Sequence, residues 1–235
     1  MDVAVLYSGG KDSTLAIEHC IKKSWDIKYL LSVKPTRTDC FLFHFATVEM
    51  TKELSKALGF RHVYVRCNVA DPKQEATIIQ RVVQKDPVDA IILGGTGLQA
   101  TQIRSIRDAV FGIGTEVFAA HTGADHEALV HDMIQRGYDI RVTQVAAEGL
   151  SASWLGRRLD SSTFQQLKEL SKRYGFHIGA EGGHYDTLVV DAPFFQKRLE
   201  ILESKSVMES GFSGYLEITR HALAEKKLIL RFNKF

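Results

Sequence analysis

From Val3 to about residue 120, short apolar runs alternate with segments of helical period. VAVLY (Val3–Tyr7), IKYLLSV (Ile27–Val33), VYVRC (Val63–Cys67), AIILGG (Ala90–Gly95) and EVFAA (Glu116–Ala120) read as five strands buried on both faces. Between them, TVEMTKELSKALG ends on Gly59 as a helix C-cap, and DPKQEATIIQRVVQKD carries Pro72 in its first turn. Strict alternation of strand and helix predicts an α/β fold with a parallel, doubly wound sheet. After His121 the rhythm changes. A helix (ADHEALVHDMIQRG), a strand (IRVTQVA), a Trp-containing turn, a second helix (SSTFQQLKELSKRYG), the run TLVVDAPFF and two further strand-like runs predict a second, smaller α+β domain. The expected division is 1–121 and 122–235, with no Pro- or Ser-rich linker between the units, so that they share an interface.

Composition narrows the class. With 235 residues and 45% hydrophobic content the chain can bury a substantial core, and a formal net charge of +2 gives no bulk electrostatic case for nucleic-acid binding. The three cysteines, Cys20, Cys40 and Cys67, form no C-x-x-C pair, which fits a reducing cytoplasm. No apolar stretch reaches the length of a membrane span, and Asp2 followed by a strand is no signal peptide.

The chemistry begins where the first strand stops, at Ser8-Gly9-Gly10-Lys11-Asp12-Ser13. A glycine-rich turn between a buried strand and a helix directs backbone N–H groups and the positive end of the helix dipole at one spot, which favours an anion. The loop is neither the common triphosphate pattern, since Leu6 stands where its first glycine belongs and Asp12 follows the lysine, nor the G-x-G-x-x-G fingerprint. Gly9 and Gly10 permit close approach, Ser8 and Ser13 offer hydroxyls, and Lys11 supplies a cation. Ligands of such sheets bind beyond the carboxyl ends of the strands, where this loop lies. A second unusual stretch, Glu181-Gly182-Gly183-His184-Tyr185-Asp186, reads either as a diglycine turn or as carboxylates and an aromatic beside an approachable backbone.

The Ser8–Ser13 loop resembles that of the N-type ATP pyrophosphatases, a group that includes GMP, asparagine and argininosuccinate synthetases and cuts ATP between the α and β phosphates. With the other stretches, the resemblance extends to the diphthine-ammonia ligase family. Its G-L-x-x-x-W-L-G-R segment is matched by Gly149, Leu150, Trp154, Leu155, Gly156 and Arg157. Its glycine-rich segment is matched by Glu181, Gly182, Gly183, Tyr185, Thr187, Asp191 and Pro193, and His44 matches a histidine after the second strand. The matches run across almost the whole chain, which ends where the short, two-unit members end.

The resemblance implies an adenine nucleotide alpha hydrolase-like sheet, a second unit closing over ATP, and ATP-dependent amidation of the diphthine carboxylate on translation elongation factor 2. Ammonium supplies the nitrogen, and AMP and pyrophosphate are released. It implies catalytic roles for Lys11, Asp12 and Glu181. ATP contacts fall to Ser8, Gly9, Gly10, Lys11, Asp12, Ser13, His44, Gly94, Gln102 and Arg104, and acceptor contacts to Trp154, Arg157, Gly182, Gly183, Tyr185, Asp186 and Asp191. Asp12 is the expected Mg2+ partner. A cytoplasmic location, no membrane, no direct nucleic-acid binding and an open question of homo-oligomerisation complete the expectations.

The chain also departs from the family pattern. His184 and Asp186 replace glutamates, Ile103 and Ser105 break a Q-R-x-R pattern that begins at Gln102 and leave Arg104 or Arg107 as substitutes, and the turn after the fifth strand lacks the usual L-W. His121, His126 and His131 lie five apart, roughly 140° from one another on a helix, and form no zinc site. Two other classes remain open: a tRNA-modifying pyrophosphatase-loop enzyme and a non-catalytic ATP sensor.

Overall fold

The computed structural model describes residues 1–36, 47–96 and 100–226. Residues 37–46, which include Cys40 and His44, lie outside them, as do 97–99 and 227–235. Five strands, β1 (Asp2–Leu6), β2 (Asp26–Pro35), β3 (His62–Cys67), β4 (Ala90–Leu93) and β5 (Glu116–Ala119), form a parallel sheet in the order β3-β2-β1-β4-β5. The chain winds outward from β1 to β3, then returns to β4 and proceeds to β5. The switch in direction therefore falls between β1 and β4.

Alternation along the strands divides the interior into two layers. Val3, Val5 and Tyr7 face one core with α1 (Lys11–Lys22) and α2 (Thr51–Leu58), whereas Ala4, Leu31 and Ile91 face a second with α3 (Pro72–Lys85) and α4 (Ala100–Val110). Local signals set the helix ends. The Asp71 carboxylate caps α3 through the Gln74 N–H at 2.9 Å, with Pro72 at the first position, and Gly59 ends α2 at φ +78°. Burial on both faces holds for β1 and β4 and for most of β2. At the edges it fails, because β3 is only half-buried and β5 exposes Glu116 and Phe118.

The remainder builds a four-stranded antiparallel sheet in the order β7-β6-β9-β8, from β6 (Asp139–Ala146), β7 (Tyr185–Asp191), β8 (Lys197–Met208) and β9 (Ser213–Glu225). With it go α5 (His126–Gln135) and α6 (Ser161–Tyr174), the latter held by a capping box of Asp160 and Thr163. This sheet does not form a core of its own. Val142, Val145, Leu188 and Leu216 belong to the same buried cluster as Val5, Leu15 and Leu54, so the first core runs without interruption through both units.

Candidate active site

The loop after β1 lies at the switch point and braces itself. The Gly9 backbone sits at φ +82°, the Ser8 and Ser13 hydroxyls are 3.1 Å apart, and Ser13 Oγ donates to the Gly10 carbonyl at 3.1 Å while accepting the Ser8 N–H at 3.2 Å. From the other side of the switch, Gly94 touches it. An added Cβ there would lie 2.5 Å from the Asp12 carbonyl carbon and from the Ser13 nitrogen, so only glycine lets the two segments meet.

The second unit completes the site. On β7, Thr187 Oγ1 accepts the Lys11 backbone N–H at 3.1 Å, and the Val189 N–H donates to the Gly9 carbonyl at 2.9 Å. The segment before β7 folds back over the loop through three left-handed residues, Ala180 (φ +68°), Gly182 (φ +89°) and Gly183 (φ +78°). For Ala180 that conformation costs about 1 kcal/mol, a strain that the surrounding contacts must hold. Between loop and segment lies a cavity of about 480 Å3, lined from below by Ser8 and Gly10 to Ser13 and from above by Gly179 to Gly183, Tyr185, Asp186 and Thr187.

Lys11 is the charge at its centre. Its side chain is 3% exposed, and Nζ donates to Asp12 Oδ2 and to the Gly179 carbonyl, each at 2.7 Å. Burial works to lower its pKa, but Asp12, Tyr185 and Glu181 outweigh burial and hold the ammonium above its ordinary value. It stays a fixed cation beside a helix N-terminus, an arrangement suited to phosphate. The Tyr185 ring lies 5.9 Å from Nζ, burial pushes its phenol up to about 12, and its hydroxyl donates to the Ile178 carbonyl.

Of the residues singled out in the sequence, the structure brings Ser8, Gly10, Lys11, Asp12, Ser13, Glu181, Gly182, Gly183, Tyr185 and Asp186 to one cavity, with Gly9 in the loop beneath it and Gly94 packed against that loop. Others stand elsewhere. Trp154 is buried in the common core, and the Arg157 guanidinium lies 4.3 Å from its ring, so this indole packs rather than faces the cavity. Asp191 pairs with Lys226 at 2.9 Å beside a different cavity. Gln102 and the exposed Arg104 lie on α4 and do not line the loop cavity. Arg107, the other substitute, bonds the Val117 carbonyl.

Three residues at the site, Gly179, Thr96 and His126, carry no local signature, and Thr187 is marked only by the match to the family's glycine-rich segment. Thr187 and Gly179 grip Lys11, and Thr96 and His126 support Glu181, with His126 Nε2 lying 2.7 Å from Thr96 Oγ1 and 3.2 Å from Glu181 Oε1. Thr96 follows β4 at the switch point, the end of the sheet at which ligands of such folds bind. Among the described residues, no group of three or more His, Cys, Asp or Glu side chains is arranged to hold a metal, and no helix is long and apolar enough to cross a membrane.

Comparison with known proteins spans both units. Residues 1–111 match the diphthamide synthase N-terminal domain and residues 125–224 the diphthamide synthase C-terminal domain. The Homo sapiens protein named diphthine–ammonia ligase is 28% identical over 232 residues, covering 89% of this chain and 86% of that protein. The Mus musculus protein of the same name is 27% identical over 252 residues, covering 96% and 94%. A third of that name, from Saccharomyces cerevisiae, is 27% identical over 231 residues but much longer, the match covering 34% of it.

Proposed function

Given that this chain belongs to the diphthamide synthase family, we propose that it is a ligase that uses ATP to convert the diphthine carboxylate of translation elongation factor 2 to its amide. The observation that carries the reading is the single cavity shared by the glycine-rich loop and the segment 179–187. A phosphate site and an acceptor surface of carboxylates face one another across it.

The cavity suits a triphosphate. Backbone N–H groups at the α1 N-terminus, the Ser8 and Ser13 hydroxyls and the Lys11 ammonium supply donors at one wall. Asp12, 32% exposed at its side chain, is available as one ligand of a Mg2+ that would arrive with the phosphates and spread their charge. In the reaction a carboxylate oxygen of the acceptor attacks the α-phosphorus, the α–β bond breaks and pyrophosphate leaves. Lys11 neutralises the charge that grows on the leaving group without having to reorient, because Asp12 and Gly179 already fix its position. Ammonia then adds to the acyl carbon, its proton passes to a base, and AMP departs.

Recognition of the acceptor falls to the segment above the loop. Diphthine carries a quaternary ammonium, which cannot donate an N–H hydrogen bond and is best held by carboxylates and aromatic faces. With Trp154 packed under Arg157, Glu181 and Asp186 are the groups of matching charge on the wall of the cavity opposite Asp12 and Lys11. Mass spectrometry tests the reading. Diphthine-bearing elongation factor 2 incubated with this protein, ATP and ammonium should gain an amide, and omission of any one of the four should abolish the change.

A further inference from the structure

His126 is the first residue of α5, yet it is 6% exposed, and its ring lies between the end of β4 and the segment that carries Glu181. Nε2 is 2.7 Å from Thr96 Oγ1 and 3.2 Å from Glu181 Oε1. The fold is built around this ring. A Cβ at Gly179 would come within 2.5 Å of both its Cγ and its Nδ1, and His177 meets it edge-on with centroids 5.0 Å apart.

The oxygen atoms around the ring favour a proton on Nε2. Nε2 lies 2.7 Å from the Thr96 hydroxyl oxygen and 3.2 Å from a Glu181 carboxylate oxygen, both able to accept its hydrogen, whereas buried Nδ1 has no hydrogen-bond partner among the described residues. A neutral ring with Nε2–H leaves at Nδ1 only a lone pair without a donor, while the imidazolium would leave a buried N–H without an acceptor, the costlier state. The charged and titratable groups around it are Lys11 and Asp12 from α1, His177 and Glu181 from the segment before β7, and Asp125, the N-cap of its own helix. Burial lowers its affinity for a second proton, which agrees with the neutral form.

We propose that His126 is a positioning residue: as a neutral ring whose Nε2–H is shared between Thr96 Oγ1 and Glu181 Oε1, it holds the Glu181 carboxylate over the Lys11 loop, in the orientation that meets the acceptor. The inference deepens the functional reading and rests on it for the kinetic assay alone. A misplaced catalytic group commonly costs on the order of 10²-fold in rate.

Two measurements on the full chain decide it. Nitrogen-15 imidazole NMR of the wild-type protein at neutral pH should show His126 with Nε2 protonated and Nδ1 bare, and Glu181→Gln should shift the Nε2 resonance. An Nδ1–H tautomer, an imidazolium or an unmoved resonance would overturn the proposal even if the protein proved to make no amide. In the amidation assay, His126→Leu should lower kcat by roughly 10²-fold, and His126→Gln, which keeps an N–H near Nε2, should recover most of it. The double variant His126→Leu/Glu181→Gln should be no slower than the slower single variant, because one residue acts through the other. Equal loss in the Leu and Gln variants, or losses that multiply in the double, would contradict the proposal.

Discussion

Thr187 Oγ1 accepts the backbone N–H of Lys11 at 3.1 Å, a bond between residues 176 positions apart. A helix leaves its first N–H groups without intrahelical partners, and here a strand of the other unit supplies one acceptor within the glycine-rich loop itself. Loop and second unit are thus one structure. Thr187→Val keeps the shape and removes the acceptor, leaving a buried N–H unpaired at a cost of about 1 to 3 kcal/mol. Urea denaturation should show that loss, with amidation falling because, among the described residues, only the Val189–Gly9 hydrogen bond then ties β7 to the loop.

Lys11→Met tests the charge at the centre of the cavity. The methionine fills similar volume but leaves the Gly179 carbonyl without its donor, so a modest drop in melting temperature should accompany the kinetic effect. The rate should fall by roughly 10²-fold or more, the usual loss when one preorganised electrostatic partner is removed. Stopped-assay quantification of AMP checks it.

At Gly94 the constraint is steric. A methyl group 2.5 Å from the backbone of Asp12 and Ser13 cannot be relieved by turning a side chain, so Gly94→Ala must push the loop away from β4. Overpacking of this kind costs about 1 to 3 kcal/mol. Calorimetric titration with ATP should show strongly weakened binding in a protein that still folds.

Acid sensitivity is expected from Glu18, which ties α1 to Arg136, just past α5, and to Tyr138, just before β6. Burial alone raises its pKa, but the hydrogen bonds from Arg136 and Tyr138 outweigh burial and hold the carboxyl below its ordinary value of 4.5. A depressed folded-state pKa gives stability that is complete above the unfolded value and is lost as pH falls through the folded one. Glu18→Gln should therefore be less stable than wild type at pH 7 and should lose less on acidification below about pH 4.5. Urea midpoints measured across that range decide it.

Much of the first unit was legible because its signals are local. Apolar runs marked the five parallel strands to within two residues, and Gly59 and Pro72 announced helix ends by their own chemistry. The position of the Ser8–Ser13 loop followed from β–α alternation. Strand order did not, nor did the docking of β7 on the loop, because contacts such as Lys11 to Thr187 leave no trace in local periodicity. Trp154 drew attention as an aromatic beside glycine and arginine, yet its packing against Arg157 depends on the tertiary fold. His126 was legible only as one of three histidines at unhelpful spacing, while its partners Thr96 and Glu181 come from distant segments.

The central step of the proposed reaction is direct attack of the acceptor carboxylate on the α-phosphorus. Diphthine-bearing elongation factor 2 labelled with oxygen-18 in that carboxylate should, on amidation by this protein, transfer one labelled oxygen to the phosphate of AMP, as mass spectrometry of the isolated nucleotide would record. Amide formation with unlabelled AMP, or with ADP and labelled orthophosphate, would contradict it.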